Sequence, residues 1–236
     1  MSGRLGHPRV HYRLTDSTNA RARELAQGGA PGGTVVTASE QSAGRGRQGR
    51  TWSAPAGKAL LMSVLVRDLT RRDALLPLAV PVAVAEACDE LAGTRCGIKW
   101  PNDIWIEGRK LCGILLEGRP QEGWAVIGIG LNVRTLRDEF PAELRDSATS
   151  LAIESGSDQR VERVLDAVLD ALERRLADRP ATIREAWRER DVLLGSSIRW
   201  NGGDGIAAGL AEDGGLVVDT DSGRVTLDAG EVHLLR

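Results

Sequence analysis

The sequence predicts an α/β protein with one large domain and a small all-β unit at its C-terminal end. Residues 59–67 form an uninterrupted apolar run with β-branched members, which is typical of a buried strand. Residues 160–177 repeat apolar side chains with the period of a helix. The last forty residues or so form short alternating stretches separated by Gly and Asp turns, which favours a small β-barrel.

The first predicted helix begins at a cap on Asp16 or Ser17 and ends near Gln27, before two glycines. A side-chain oxygen at the cap can accept a free N–H of the first turn. A second helix, rich in alanine and valine, is predicted from Asp73 to Leu91 and ends at Gly93. Strands are predicted over 34–39, 59–67, 103–107, 110–117 and 124–133, and the turn at 107–109 joins two of them into a hairpin.

The C-terminal third begins with the 160–177 helix, after which Pro180 starts a helix over 181–190. Short strands follow at 197–200, 206–210, 216–220, 224–227 and 232–235. This change of texture predicts two domains, residues 1–190 and residues 191–236.

Composition excludes several classes of protein. The 236 residues are 42% hydrophobic and 27% charged, with a formal net charge of -2, which argues against a broad nucleic-acid-binding surface, so any anion site must be local. Cys88, Cys96 and Cys112 fit neither a metal site nor a disulfide framework, which indicates a reducing compartment. The N-terminus has no signal-peptide core, and the longest apolar run, 74–87, is too short for a bilayer. A cytoplasmic protein without membrane contact is therefore expected.

Residues 44–50, GRGRQGR, match the dinucleotide-binding pattern G-x-G-x-x-G. That pattern binds a dinucleotide where its last glycine opens a helix, whereas this segment leads into the predicted strand at 59–67. Arginines alternating with glycines offer several guanidinium groups on a permissive backbone, which suits a polyanion. The loop is therefore predicted to hold a phosphate-rich or acyl-phosphate ligand.

Other polar clusters lie at ends of predicted elements, where α/β proteins place ligands. They are residues 17–19, 99–103, 109–110 and 128–132. The chain has only three lysines, Lys58, Lys99 and Lys110, against a background of arginine. Two of these lysines fall in the clusters beside apolar strands, which weakens the interpretation that they are ordinary surface residues.

The segments STN, EQSAGRGRQGRTW, KWPNDIWIEGRKLCGILLE and GIGLNV, in this order, closely resemble the biotin protein ligases. The resemblance extends over roughly residues 10 to 236 and includes GEVHL near the C-terminus. It implies a mixed sheet flanked by helices, related to class II aminoacyl-tRNA synthetases and lipoate ligases, followed by an SH3-like barrel. It also implies an enzyme, monomeric or homodimeric, that uses biotin, ATP and Mg²⁺.

The implied reaction has two steps. Biotin and Mg-ATP give biotinyl-5′-AMP and pyrophosphate, and the lysine of a biotin carboxyl carrier protein domain then attacks the mixed anhydride. A carboxylate that approaches the anionic α-phosphate needs fixed cations nearby. The chain supplies them with Arg45, Arg47, Arg50, Lys99 and Lys110.

The resemblance also assigns roles to individual residues. Biotin is expected to contact Ser17, Thr18, Asn19, Gln41, Arg45, Gly46, Arg47 and Lys110. ATP is expected to contact Arg45, Arg47, Arg50, Trp52, Lys99, Asn102 and Asn132. The catalytic residues are expected to be Arg47, Lys99 and Lys110; the metal ligands are not identified.

Simpler interpretations remain open for several of these residues. Residues 17–19 are also explained by helix capping, and Asn102 and Asn132 by turn formation. Trp52 is also explained as a packing aromatic, which is the preferred interpretation of Trp100 and Trp105. Asp103 either fixes a lysine or helps to hold Mg²⁺ through water.

Two other functions compete with biotin ligation. One is a lipoate or octanoate ligase or transferase of the same superfold, which the pairing of KWPND with GRGRQGR disfavours. The other is a nucleic-acid-binding module that uses the Gly/Arg loop, although aromatic residues for base stacking are scarce near it. Since sixteen residues precede Ser17, too few for a helix-turn-helix unit, no DNA binding is expected.

Overall fold

A computed structural model describes residues 5–69, 74–228 and 230–235. The predicted helix start at Asp73 therefore lies outside the described residues. The larger part of the chain contains β1 Arg9–Tyr12, α1 Thr18–Gln27, β2 Val35–Ala38, β3 Ala59–Arg67, α2 Leu76–Ala92, β4 Gly97–Lys99, β5 Asp103–Ile106, β6 Arg109–Arg119, β7 Trp124–Asn132, α3 Leu151–Ser155, α4 Val161–Ala177 and α5 Pro180–Arg188. The C-terminal part contains β8 Ser197–Trp200, β9 Gly203–Leu210, β10 Leu216–Thr220, β11 Gly223–Leu227 and β12 His233–Leu234.

The main sheet has seven strands in the order β1-β2-β3-β7-β6-β5-β4. β1 and β2 are parallel, and every other neighbouring pair is antiparallel. The predicted mixed sheet flanked by helices is therefore confirmed.

The two faces of this sheet carry different helices because the side chains of each strand alternate between them. On β3, Ser63 and Leu65 face α1, whereas Met62 and Val64 belong to the core under α2 and α4. β3 is buried on both faces from Ala59 to Val66, as the apolar run predicts. The face that carries α1 also carries the candidate site.

Three elements were not predicted: β1, β4 and α3. β1 has four residues that alternate between exposed and half-buried, and β2 is its one partner within the described part of the chain. β4 has three residues and α3 has five. Such short elements leave no readable period, and their neighbours in space define them.

The predicted cap of α1 needs a correction. Ser17 is the N-cap residue, but its side chain makes no capping hydrogen bond. Instead, Gln41 Oε1 accepts the Thr18 N–H at 2.7 Å from a loop 23 residues away. A tertiary contact thus satisfies the donor that the sequence assigned to a local one.

The C-terminal strands form a five-stranded antiparallel sheet in the order β11-β10-β9-β8-β12, which confirms the predicted β unit. Its apolar residues Ile198, Leu216 and Val218 belong to the same core cluster as α2. Trp100 Nε1 also donates to the Gly214 carbonyl at 3.1 Å. The boundary at residues 190/191 stays a prediction, since the two parts share one apolar core. Among the described residues, no helix has the length and apolar character needed to cross a bilayer.

Candidate active site

A cleft of about 550 Å³ opens on the α1 face of the main sheet. It gathers residues that lie far apart in the sequence. Of the predicted site residues, it is lined by Ser17, Thr18, Asn19, Gln41, Arg45, Gly46, Arg47, Arg50, Trp52, Asn102, Lys110 and Asn132. Lys99 lies outside this lining, on β4, which is an edge strand of the main sheet.

One end of the cleft is neutral and polar. Gln41 Oε1 also accepts from the Thr18 hydroxyl at 3.1 Å, so it holds the first residue of α1 twice. The buried Ser63 hydroxyl lies 2.8 Å from Thr18 Oγ1 and 2.6 Å from Asn19 Oδ1. Uncharged donors and acceptors of this kind suit a neutral amide or urea group.

The other end is formed by the Gly/Arg loop, residues 44–50, which is a tight hairpin. Gly46 N donates to the Arg50 carbonyl at 2.7 Å, and Trp52 N donates to the Gly44 carbonyl at 3.0 Å. A Cβ at Gly44 would collide with the Trp52 carbonyl, so the close approach requires glycine there. The loop leads into β3 without opening an α-helix, which confirms that the dinucleotide pattern does not apply.

The loop arginines lie in different surroundings. Burial lowers the pKa of the Arg47 guanidinium; Arg50 adds to this fall, and Asp103 and Glu231 oppose it. Arg50 forms a 2.5 Å ion pair with Glu231, which lies just before β12. Arginine keeps its proton throughout the accessible pH range, so both remain cations.

Trp52 lies on a floor of glycines between β6 and β7. Gly113 and Gly130 are paired across these strands, and a Cβ on Gly130 would lie 2.5 Å from the indole ring. The Lys110 ammonium lies 5.8 Å from the ring centroid. The indole N–H is buried against β7 and has no hydrogen-bond partner among the described residues.

Lys110 and Lys99 flank the same carboxylate. Lys110 Nζ forms an ion pair with Asp103 at 2.7 Å, so Asp103 fixes a lysine, one of the two roles left open for it. Lys99 pairs with Asp103 through the β4–β5 backbone register, and its ammonium lies 4.7 Å above the Trp105 ring. Burial lowers the pKa of Lys99; Asp103 and Glu231 oppose this fall, and Lys110 and Arg50 add to it.

The two site asparagines use their amide groups within the protein. Asn102 Nδ2 donates to the Ile114 carbonyl, and Asn132 Nδ2 donates to the Thr149 carbonyl at 2.9 Å. Each therefore ties a loop to a neighbouring strand, while both still line the cleft.

Sequence reasoning missed one wall of the cleft, which is formed by residues 139–148. Phe140, Pro141 and Leu144 make it apolar, and Lys58 holds it through an ion pair with Glu139. The Lys110 N–H also donates to the Ser147 carbonyl at 2.8 Å. The scarcity of lysine was the one sequence signal that pointed to this region, because Lys58 is the third lysine.

Comparison with known proteins identifies the family of the chain. The Biotin/lipoate A/B protein ligase family matches residues 11–133, and the biotin protein ligase C terminal domain matches residues 200–235. A bifunctional ligase/repressor BirA of Bacillus subtilis is 34% identical, covering 98% of this chain and 75% of its own. A biotin--[acetyl-CoA-carboxylase] ligase of Mycobacterium tuberculosis is 35% identical, covering 94% of this chain and 87% of its own.

Among solved structures, the biotin protein ligase from Aquifex aeolicus in complex with biotin and ATP matches with a TM-score of 0.84 at 29% identity. The match covers 98% of this chain and 99% of that chain. The chain therefore belongs to the biotin/lipoate A/B protein ligase family, as one of its biotin protein ligases.

Proposed function

We propose that this protein adenylates biotin with ATP and transfers the biotinyl group to the acceptor lysine of a biotin carboxyl carrier protein in the cytoplasm. The observation that carries the proposal is the polarity of the cleft. One end offers uncharged hydrogen-bonding groups, and the other concentrates Arg45, Arg47, Arg50 and Lys110 around a single cavity. A ligand that joins a neutral ring to a phosphate through an acyl chain fits this division.

In the first step, a carboxylate oxygen of biotin attacks the α-phosphorus of ATP, and the bond to pyrophosphate breaks. Lys110 bridges the carboxylate and the α-phosphate, while Lys99 faces the departing phosphates. Arg47 holds the mixed anhydride. Trp52 packs against adenine, a contact worth about 1 kcal/mol.

In the second step, the unprotonated amine of the acceptor lysine attacks the acyl carbon of the anhydride, and its nitrogen releases a proton to water as the amide forms. The bond between this carbon and the phosphate oxygen breaks, and AMP leaves with its negative charge. Arg47 and Lys110 stabilise that charge as it develops.

Mg²⁺ belongs to this proposal as the partner of the nucleotide phosphates, whose charge it neutralises. Mg²⁺ in such sites uses one or two carboxylates together with phosphate oxygens and water. Among the described residues, no three acidic, histidine or cysteine side chains are grouped as a metal site.

The test is biotin-dependent release of pyrophosphate. The wild type is expected to release it only with both biotin and ATP, and Lys110→Ala is expected to slow release by about 10² to 10³. Arg119→Ala, an exposed position on the same strand β6, is the matched control and should keep wild-type activity. Pyrophosphate release independent of biotin would reject the proposal.

The same assay separates the lipoate alternative. With lipoate or octanoate in place of biotin, pyrophosphate release should stay at background. A preference for lipoate over biotin would assign the chain to the other branch of the family.

Arg47→Gly should still adenylate biotin but lose the intermediate, so that amines of bystander proteins become biotinylated.

A further inference from the structure

The Glu117 carboxylate, on β6, contacts groups from both ends of the cleft. We propose that Glu117 is a positioning residue that holds Asn19 and the Gly/Arg loop in one arrangement, so that the loop closes over a correctly seated ligand. The inference rests on the proposed function, because it assigns the loop the task of retaining the acyl-adenylate.

The first contact is to α1. Glu117 Oε2 accepts from Asn19 Nδ2 at 2.7 Å, while Asn19 Oδ1 lies 2.6 Å from the Ser63 hydroxyl. Asn19 is 4% exposed and lies over Gly128, where a Cβ would collide with its amide. Asn19 Nδ2 also donates to the Leu115 carbonyl at 3.4 Å. With its oxygen and its nitrogen both engaged, the Asn19 amide has a single orientation, and Glu117 is the closer of its two acceptors.

The second contact is to two arginines that share the other carboxylate oxygen. Arg23 Nη1 lies 2.8 Å from Glu117 Oε1, and Arg45 Nη1 lies 3.9 Å from the same atom. Arg23 thus holds the close position and Arg45 the loose one. Because one oxygen serves both, strengthening one pair weakens the other.

The Arg45 end transmits this attraction along the loop. Arg45 forms an antiparallel bridge with Thr51, and the neighbouring Trp52 N–H donates to the Gly44 carbonyl. The backbone that carries Arg45 is therefore paired with the backbone that carries Trp52. The electrostatic attraction between Glu117 and Arg45 therefore fixes the position of both strands of the hairpin.

The experiment uses the full chain and its own loop as the reporter, since trypsin cleaves after Arg45, Arg47 and Arg50. Initial cleavage is followed without ligand in the wild type and in Glu117→Gln, Arg23→Gln and Glu122→Gln. Glu122 lies in the exposed turn between β6 and β7 and serves as the matched control. Release of biotinyl-AMP is measured by adding an excess of unlabelled biotin to a preformed complex of the protein with labelled biotinyl-AMP.

Glu117→Gln should accelerate both loop cleavage and release by about two- to fivefold, the range expected for an ion pair near the surface. The KM for biotin should stay near the wild-type value, because the glutamine oxygen still accepts from Asn19. Glu117→Ala removes that acceptor as well and should raise this KM by about five- to tenfold. Arg23→Gln frees Oε1 for Arg45 and should slow cleavage and release.

The opposite directions of the two charge variants distinguish positioning from general destabilisation. If Glu117→Gln is cleaved at the rate of the wild type, or if Arg23→Gln is cleaved faster than the wild type, the inference is wrong. Cleavage without ligand needs no catalysis, so this arm decides the inference even if the wild type releases no pyrophosphate. Absence of biotin-dependent pyrophosphate release would instead reject the proposed function.

Discussion

Lys99 and Lys110 are the same residue type close to the same carboxylate, but they differ in how they are neutralised. Lys110 has Asp103 at 2.7 Å. For Lys99, no carboxylate of the described residues lies within ion-pair distance, and its ammonium rests on the Trp105 ring at 4.7 Å. Burial of a cation without a close anion favours the neutral form, which is why the pKa of Lys99 is lowered.

The lowered pKa predicts an alkaline limit on adenylation. A lysine is cationic below its pKa, so Lys99 loses its charge at a lower pH than an exposed lysine does. Below the ordinary pKa of lysine, the wild-type rate should already fall as the pH rises, whereas Lys99→Arg should remain flat there. Single-turnover formation of biotinyl-AMP at each pH gives the two profiles.

Lys58→Arg is the control for this profile, because Lys58 lies outside the cleft lining and keeps its charge as arginine. It should reproduce the wild-type decline. An identical decline in Lys99→Arg would show that another group sets the limit.

At the scale of elements, the centre of the cleft is a pair of strands that carry glycines where the cleft opens. Gly113 on β6 faces Gly130 on β7, and Gly128 lies two residues before Gly130 on the same face. The indole of Trp52 and the amide of Asn19 occupy the space that these glycines leave. The glycines therefore determine where the loop and α1 approach the sheet.

Gly130→Ala should displace Trp52, because the new methyl group would lie 2.5 Å from its ring. Loss of a packing contact of about 1 kcal/mol predicts a rise of roughly fivefold in the KM for ATP. The KM for biotin should change less. Steady-state pyrophosphate release with each substrate varied in turn measures both.

Gly118→Ala on β6 is the matched substitution, since its Cβ would meet only the Pro120 ring at 3.8 Å. It should leave both KM values unchanged. Equal effects from the two substitutions would mean that strand flexibility, rather than the position of Trp52, controls ATP binding.

For the whole molecule, the segment between α5 and the C-terminal sheet pairs with the edge of the main sheet. Ile98 N on β4 donates to the Arg190 carbonyl at 2.7 Å, and Val192 N donates back to the Ile98 carbonyl at 3.1 Å. The segment after α5 thus covers the edge strand that carries Lys99. With the shared core and the bond from Trp100 to Gly214, the two parts form one packed body.

This packing predicts that both parts unfold in a single cooperative transition. A urea titration monitored by far-UV circular dichroism and by tryptophan fluorescence measures it. Trp100→Phe leaves the Gly214 carbonyl without its donor and should lower the free energy of unfolding by about 1–3 kcal/mol, still in one transition. Two separate transitions in the wild type would contradict the shared core.

Most long elements were predictable because their apolar residues recur with the period of a helix or form the continuous run of a buried strand. The β3 run, the helical repeat of α4 and the turn residues between the C-terminal strands each carry a local signal. The order of the seven strands, the edge strands β1 and β4, and the cap on α1 depend on partners distant in the chain. Local periodicity contains no information about such partners.

The sequence by itself determined the class of fold and the family, because both depend on residue types and their spacing. The tertiary structure alone decided which groups meet: Gln41 with Thr18, Lys110 with Asp103, Glu117 with Asn19 and Arg45, and residues 139–148 with the cleft. The physical reason is that charge pairing and burial act over a few ångströms in space, whatever the separation along the chain.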